Sequence, residues 1–385
     1  MPKRPSKKKA TKKPGARKKA AAKKKAPVAK RVAGKRTRHP KGAKRSRDLA
    51  GKQESRAKRV GPSGSPSPRD DTKTSKKPST RKAPFDAKKD SAYDPTWIPP
   101  VWDATLLLGA HVSIAGGTHN APFRARAIGG TAMQVFTKMA NRWAERLCES
   151  DECAAFRAAL GDSPVRVTVA HDSYLINLAS PDDTLRARSV ESMVAELARC
   201  EALGVACLVS HPGNYMDDMQ SGIARNAAGV TEALERVPGK TMLCLEVTAG
   251  SGTVIGSRFE ELAQLIALVP ANLRGRVAVC LDTCHAYSAG YDLVNDYDGV
   301  WSRFDDVIGL DRLRVLHLND SKTPFASKRD RHELIAEGSL GEKPFRRIMT
   351  DARFANVPKV IETPKGDDAT KTDARMLGRL AGYAT

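Results

Sequence analysis

The chain has 385 residues, a mass of 41.6 kDa and a formal net charge of +23. The basic excess lies at one end, because residues 1–100 hold 34 Lys and Arg against 7 Asp and Glu, whereas the remainder holds 32 against 36. No stretch approaches 18 consecutive apolar residues and there is no secretory hydrophobic segment, so we expect neither a membrane span nor a secretory signal.

The first segment, residues 1–100, consists mainly of Lys, Arg, Ala, Pro, Ser and Gly, with almost no large apolar side chain before Tyr93. Such a segment cannot bury enough surface to offset its ordering entropy. We therefore predict a disordered basic tail and linker over residues 1–100, followed by a single folded domain over residues 101–385. Runs of three lysines favour binding to polyanions, nucleic acid first. A solubilising extension is the alternative.

The tail also bears on location. Its lysine runs fit a nuclear-import signal, and its prolines and lysine bias speak against a mitochondrial presequence. The seven cysteines are scattered and form no CxxC pair, which is typical of reduced, buried thiols in an intracellular protein. We expect an intracellular protein, with the nucleus first and a mitochondrial or virus-associated location as alternatives. Cys284 lies between Asp282 and His285, and we interpret it as a core thiol.

From residue 101 onward, short apolar runs alternate with helical segments. The predicted strands are Leu106–His111, Ala132–Thr137, Val165–His171, Ala206–His211, Met242–Glu246, Val277–Asp282, Leu313–His317 and Val360–Glu362. The predicted helices are Ala121–Ile128, Ala154–Leu160, Asp183–Leu203, Gly222–Val237, Phe259–Leu268, Phe345–Ala352 and Thr372–Leu380. This alternation predicts an α/β fold of the (β/α)8 TIM-barrel type, whose functional sites lie at the carboxyl ends of the strands. An open doubly wound sheet is the alternative.

Six of the apolar runs end in a side chain that can bind a metal ion. These side chains are His171, His211, Glu246, Asp282, His317 and Glu362. They follow one another at intervals of 35 to 45 residues, which is the length of one strand, one helix and two loops. Ligands from consecutive strands converge in a closed ring but would be spread along a line in an open sheet, so the pattern favours the barrel.

Three more candidate ligands lie outside the strands. His285 follows Asp282 by three residues, and the long loop of residues 321–341 contains Asp330 and His332. Two residues apart in an extended segment, Asp330 and His332 point the same way. Nine ligands are too many for one tetrahedral ion, so the sequence predicts two or three ions that share a carboxylate. The local alternatives are a hydrogen-bonded core pair and a solvated charged loop.

Two further histidines, His111 and His119, flank the turn after the first strand. We expect them to support the site or to lie in its loops.

The motifs GAHVSIAGG, FTK…RW, HDSYLINLASP, HPG, LE-x-TAG-x-G, DTCHAYSAGYD, LHLNDSK and DRH occur in this order. Together they resemble endonuclease IV, the zinc-dependent apurinic/apyrimidinic (AP) endonuclease, over residues 106–381. The resemblance implies a TIM barrel that acts in base-excision DNA repair. The implied reaction is hydrolysis of the phosphodiester 5′ to an abasic site in double-stranded DNA, which leaves a 3′-hydroxyl. The resemblance also makes two further activities plausible. One is trimming of blocked 3′ ends by 3′-phosphodiesterase activity, and the other is incision beside oxidised bases.

The resemblance further implies three Zn²⁺ ions. The implied ligand groups are His171, His211 and Glu246 for one ion, Glu246, Asp282, His317 and Glu362 for a second, and His285, Asp330 and His332 for a third. Glu246 and Glu362 are the catalytic residues on this interpretation, and Glu362 also helps to orient the attacking hydroxide.

Four residues match positions that contact DNA in the family. Tyr174 and Leu175 match residues that insert at the lesion, where a missing base lowers the cost of unstacking. The family's Asn-Gln-Arg-Gln-Trp segment is Met-Ala-Asn-Arg-Trp over residues 139–143. The arginine that inserts into DNA in the family aligns with Asn141 of this chain. Arg142 lies one residue later. The resemblance therefore does not carry distortion of DNA by this segment over to this chain.

Two other positions depart from the family pattern. Val247 replaces a usual Asn, and Ala336 replaces a usual Gly in the loop after the DRH motif. Neither change removes a candidate ligand. The basic tail lies outside the family core, and we hypothesise that it supplies nonspecific affinity for DNA. We expect a monomer.

Two other classes of protein remain open. A metal-dependent sugar isomerase would use a similar barrel but would need neither five histidines at its mouth nor a basic tail. A noncatalytic chromatin-binding protein with a degenerate barrel would have no reason to keep the full ligand set.

Overall fold

A computed structural model describes residues 96–143 and 146–385. The chain divides into two units, residues 1–77 and 78–385, and every described residue belongs to the second. The predicted tail lies outside the described residues as far as residue 95, so its predicted disorder and the domain boundary at residue 100 stay predictions. No helix in the described part of the chain is long and apolar enough to cross a membrane.

Eight parallel strands form one sheet. These strands are β1 (Leu108–Ala110), β2 (Ala132–Phe136), β3 (Val167–His171), β4 (Cys207–Ser210), β5 (Met242–Glu246), β6 (Val277–Asp282), β7 (Leu313–His317) and β10 (Lys359–Ile361). They lie side by side in the order β1-β10-β7-β6-β5-β4-β3-β2. The first and second strands close the ring, because Val112 N donates to Gln134 O at 2.8 Å and Thr131 N donates to Leu108 O at 2.9 Å. The predicted TIM barrel is confirmed, and the open doubly wound sheet is wrong.

Ten α-helices are present in the described residues. They are α1 (Ala121–Ala127), α2 (Ser150–Gly161), α3 (Asp183–Leu203), α4 (Met219–Arg236), α5 (Phe259–Leu268), α6 (Ala271–Arg274), α7 (Thr283–Ala289), α8 (Tyr297–Val307), α9 (Glu342–Thr350) and α10 (Ala369–Ala381). The predictions for α3 and α5 agree with the structure to the residue.

Other helix boundaries differ from the sequence prediction for identifiable reasons. Helix α9 begins at Glu342 rather than Phe345, since Pro344 is compatible with the first turn, where its missing N–H costs nothing. Helix α10 begins earlier than predicted because the Asp368 side chain caps it by accepting from Lys371 N. The sequence prediction omits α8, although its buried face repeats at helical spacing.

The interior of the barrel is filled by small and β-branched side chains below the carboxyl ends of the strands. They are Val169, Cys207, Val209, Cys244, Ala278, Cys280 and Val315. All seven cysteines are free thiols, and six of them are buried. Because side chains fill the interior, a ligand site of this barrel is expected at its mouth rather than inside it.

A short antiparallel hairpin, β8 (Asp320–Ser321) with β9 (His332–Glu333), follows β7. Beyond it, a turn begins at Leu334, whose carbonyl oxygen accepts from Glu337 N at 2.9 Å. Ala336 is the third residue of this turn and has φ of +61°. A residue with a Cβ is strained in this left-handed region, which is where turns favour glycine.

We predict that Ala336→Gly stabilises the protein. Relief of the left-handed strain should outweigh the larger conformational entropy of glycine in the unfolded chain, for a net gain of up to about 1 kcal/mol and a rise in Tm of roughly 1–3 °C. The measurement is thermal unfolding by circular dichroism. The matched control is Ala155→Gly at an exposed position inside α2, which should lower Tm because glycine weakens a helix interior. A fall in Tm for both variants would contradict the prediction.

Candidate metal centre

The nine candidate ligands meet at the mouth of the barrel in three groups. Within each group the potential ligand atoms all lie within 4.8 Å of one another. The groups are His171, His211 and Glu246; Glu246, Asp282, His317 and Glu362; and His285, Asp330 and His332. Each group matches one of the three sets that the resemblance implies, and Glu246 is common to the first two.

The carboxylate of Glu246 is the centre of the arrangement and is fully buried. Its Oε2 lies 3.2 Å from Nε2 of both His171 and His211. Its Oε1 lies 3.0 Å from Nδ1 of His317 and 3.3 Å from Nδ1 of His285. Four imidazoles therefore surround one carboxylate.

The electrostatics show how strongly this carboxylate favours positive charge. Burial alone would raise the pKa of Glu246, but the nearby His317 and His211 and a hydrogen bond with His171 hold it well below its usual range. Burial opposes protonation of His171, yet its contacts with Glu246 raise its pKa to about 10. Protons or cations must therefore occupy this cluster for it to be stable.

Three of the histidines are oriented by main-chain carbonyl oxygens. A carbonyl oxygen only accepts, so the Nδ1 that faces it carries the proton and Nε2 is left to point at the carboxylates. The pairs are His171 with Asp172 O at 3.0 Å, His285 with Val247 O at 3.0 Å and His332 with Glu362 O at 3.2 Å. This is the tautomer that a histidine needs to bind a metal through Nε2.

The third group contains two buried nitrogens without a hydrogen-bond partner. These are Nε2 of His285 and Nε2 of His332, which lie 3.2 and 3.3 Å from the carboxylate oxygens of Asp330. A buried polar atom without a partner is costly, and a cation between these three side chains would remove that cost. The set of imidazole nitrogens and carboxylate oxygens is typical of zinc. The residues present therefore fit the metal that the resemblance implies.

Local backbone structure brings Asp282 and His285 together. Asp282 ends β6 and caps α7 by accepting from His285 N at 2.9 Å. Asn319 then joins two strands, because its Nδ2 donates to Asp282 Oδ2 at 2.7 Å and its Oδ1 accepts from Glu362 N at 2.8 Å. Sequence reasoning gave Asn319 no role, although it is a buried amide directly behind a candidate ligand.

The loop within the β8–β9 hairpin is anchored on α7. Ala326 N donates to Tyr287 O at 3.1 Å, and Lys328 N donates to Ser288 O at 3.0 Å. These bonds hold the segment that carries Asp330 over the mouth of the barrel. A small pocket opens beside Asp330, His211 and His285, so the centre can be reached from solvent.

Two thiols adjoin the centre. The Sγ of Cys280 lies within 4.8 Å of ligand atoms of Glu246 and His317, and that of Cys284 lies equally close to Asp282 and His332. Burial raises the pKa of Cys284 to about 12 and that of Cys280 well above its usual value. Because a thiol binds metal as the thiolate, these shifts favour the interpretation of both as core residues.

Of the four residues predicted to contact DNA, Tyr174 lies beside the centre. Tyr174 is 71% exposed, and its ring centroid is 6.2 Å from that of His171. Leu175 is half-buried, whereas Asn141 and Arg142 are exposed. An exposed aromatic side chain next to a polar centre is available to stack on a base or sugar.

A buried network fixes the segment that carries Asn141 and Arg142. Lys138 Nζ donates to Arg142 O at 3.1 Å and lies 3.8 Å from Glu196 Oε1. Arg199, one turn further along α3, places its guanidinium 3.0 Å from Glu196 Oε2. The sequence analysis did not identify this network. The pattern that could have revealed it is the pair Glu196 and Arg199, two opposite charges three residues apart on the buried face of α3.

Sequence reasoning also missed Gln134. This side chain is fully buried on β2 and contacts His317 and Glu362. The available signal was a single amide within an otherwise apolar strand, because a buried polar group needs partners.

Comparisons with known proteins agree with this geometry. The family model described as "Xylose isomerase-like TIM barrel" matches residues 123–380. A protein named "Probable endonuclease 4" from Geobacter sulfurreducens is 45% identical over 265 residues, which cover 68% of this chain and 89% of that protein. Its counterpart from Chloroflexus aggregans is 42% identical over 264 residues, covering 68% of this chain and 92% of the relative.

Among solved structures, endonuclease IV from Thermus thermophilus superimposes with a TM-score of 0.64 at 37% identity, covering 72% of this chain and 98% of that one. Fold, ligand set and sequence similarity thus agree, and the chain belongs to the endonuclease IV family of deoxyribonuclease IV-type enzymes.

Proposed function

We propose that this protein is a zinc-dependent AP endonuclease of base-excision repair. It hydrolyses the phosphodiester 5′ to an abasic site in double-stranded DNA and leaves a 3′-hydroxyl. The observation that carries the proposal is the convergence of three ligand groups, two of them sharing the buried Glu246, in a chain 45% identical to a protein named endonuclease 4. The same centre would act on blocked 3′ ends.

The ligand groups would hold three zinc ions, as the resemblance implies. Bound zinc supplies two things that phosphodiester hydrolysis needs, a nucleophilic water at neutral pH and neutralisation of charge on the phosphate oxygens. No side-chain nucleophile is required. The two orphaned nitrogens of the third group, on His285 and His332, support this assignment.

Glu246 and Glu362 have different surroundings and therefore different proposed roles. Glu246 is fully buried among imidazoles, which suits a bridging ligand. Glu362 is 19% exposed at its side chain and lies 3.4 Å from His317 Nδ1, so it reaches both the centre and the entering substrate. We assign Glu362 the orientation of the attacking water.

Tyr174 and Leu175 are proposed to occupy the gap that a missing base leaves in the duplex. Tyr174 is exposed beside the centre, whereas Leu175 is half-buried behind it. Insertion of a side chain between stacked bases costs a few kcal/mol because the bases must unstack. The cost is least where a base is already absent. Arg142 and Asn141 would contact the DNA from the neighbouring segment, which the Lys138 network holds in place.

The basic tail is proposed to contact DNA phosphates. Residues 101–385 carry a small acidic excess while residues 1–100 carry the basic charge, so nonspecific attraction has to come from the tail. The relatives described above are bacterial, so they do not support a nuclear or mitochondrial location. Binding to DNA is therefore the proposed role of the tail, and an intracellular location and a monomeric state are proposed with it.

We predict that the full chain incises a labelled abasic duplex and that removal of zinc by a chelator abolishes incision. Added zinc should restore it, and the product should be extended by a DNA polymerase. Glu246→Gln should lose zinc and lower the rate by at least about 10³-fold, because a neutral amide cannot balance two cations. The matched control is Glu261→Gln, a buried glutamate outside the ligand groups.

This proposal fails if the zinc-loaded chain leaves the abasic duplex intact, or if Glu246→Gln cuts as fast as the unaltered protein. A ketose and an undamaged duplex, run in parallel, test the isomerase and the purely DNA-binding alternatives.

We predict that deletion of residues 1–89 flattens the salt dependence of DNA binding. Each lysine–phosphate contact contributes about 0.9 to the slope of log K against log salt, and the deletion removes most of the lysines. Single-turnover cleavage of bound substrate should be nearly unchanged, since the deleted residues contribute none of the nine ligands. An unaltered salt slope in filter-binding titrations of the two proteins would refute the proposed role.

A further inference from the structure

Gln134 is the only side chain in the described part of the chain that contacts His317, Glu362 and His111 together. Its Nε2 lies 2.6 Å from Glu362 Oε1, and its Oε1 lies 2.7 Å from His317 Nε2. An ionised carboxylate can only accept a hydrogen bond. The amide nitrogen must therefore face Glu362, which leaves the amide oxygen facing His317.

This orientation sets the proton position on His317. Because the oxygen of Gln134 only accepts, His317 Nε2 carries a proton. Its other nitrogen, Nδ1, faces Glu246 at 3.0 Å and Glu362 at 3.4 Å. His317 is thus fixed in the tautomer opposite to that of the histidines held by main-chain carbonyl groups.

The same amide sets the proton position on His111. The Nε2 of Gln134 lies 3.0 Å from His111 Nδ1, and an amide nitrogen can only donate. In the neutral ring His111 Nδ1 therefore accepts, and the proton lies on Nε2.

No partner for His111 Nε2 is found among the residues that the structure describes, so this N–H is available to a molecule that enters the site. His111 follows β1 at the carboxyl end of the barrel, and its side chain is 16% exposed. Its ring packs at 4.3 Å from Phe136, which in turn lies 5.3 Å from the exposed Tyr174. The imidazole therefore lies beside the candidate ligand Glu362, and Phe136 separates it from the proposed DNA wedge at Tyr174. A phosphate group held at both the centre and the wedge would pass close to it.

We propose that His111 is a further catalytic residue, which donates its Nε2–H to an oxygen of the scissile phosphate, and that Gln134 is the positioning residue that fixes this tautomer. This inference rests on the proposed phosphodiester chemistry. A preset donor stabilises charge that develops on a phosphate oxygen without reorganising during the reaction. His111 remains outside the metal ligands, since it belongs to none of the three groups.

The test compares two amide substitutions in the full zinc-loaded chain. Glutamine places its amide near the position of imidazole Nε2, whereas asparagine places it near Nδ1. His111→Asn should therefore lower kcat on the abasic duplex by about 10²-fold, with bound zinc unchanged. His111→Gln should recover most of that loss. Equal activity of His111→Asn and the unaltered protein, equal loss in both variants, or loss of zinc from either would overturn the proposal.

Nitrogen-15 NMR of histidine-labelled protein tests the tautomers without reference to activity. His111 should carry its proton on Nε2 in the unaltered chain, and Gln134→Leu should release it into a mixture of tautomers. A proton on Nδ1 of His111, or a tautomer unaffected by Gln134→Leu, would contradict the assignment. Failure of the unaltered enzyme to cut abasic DNA would instead remove the proposed function and leave this measurement valid.

Discussion

The buried carboxylate of Glu246 has to be balanced by positive charge, because a lone ionised group in a barrel interior would cost several kcal/mol. Four imidazoles surround the carboxylate, with ring nitrogens 3.0 to 3.3 Å from its two oxygens. Those imidazoles come from β3, the end of β4, α7 and β7, on different sides of the ring. The requirement for compensation at one point therefore ties the ends of separate strands to a common centre, and cations shared through Glu246 are the compensation that we propose.

Supporting contacts orient four of the five histidines in the candidate centre. Main-chain carbonyl groups hold His171, His285 and His332, while the amide of Gln134 holds His317 in the opposite tautomer. Such partners decide which nitrogen is presented and raise its basicity. The buried network of Lys138 with its partners extends the same principle to the neighbouring segment, since it fixes the backbone that presents Arg142 to solvent. The geometry of the candidate centre thus depends on residues outside the nine candidate ligands.

Much of this arrangement could be predicted from the sequence because a (β/α)8 barrel repeats its ligand positions at the ends of its strands. The barrel, the bounds of α3 and α5, and the nine candidate ligands all followed from apolar runs, from their spacing and from motifs. Gln134 and Asn319 could not be placed, since an amide acquires its role only from neighbours that are distant in sequence. The starts of α9 and α10 were misplaced because local capping at Asp368 and tolerance of Pro344 outweighed the apolar pattern. Ala336 could be named as a departure from the family, but its left-handed φ was visible only in the structure.

The central claim is that the three ligand groups hold zinc together around Glu246. Anomalous diffraction above and below the zinc absorption edge, from crystals of the full chain grown without chelator, tests it most directly. The account predicts three anomalous peaks, one within each ligand group, with Glu246 touching two of them. Peaks elsewhere, or a mouth of the barrel in which the imidazoles contact only water, would contradict it.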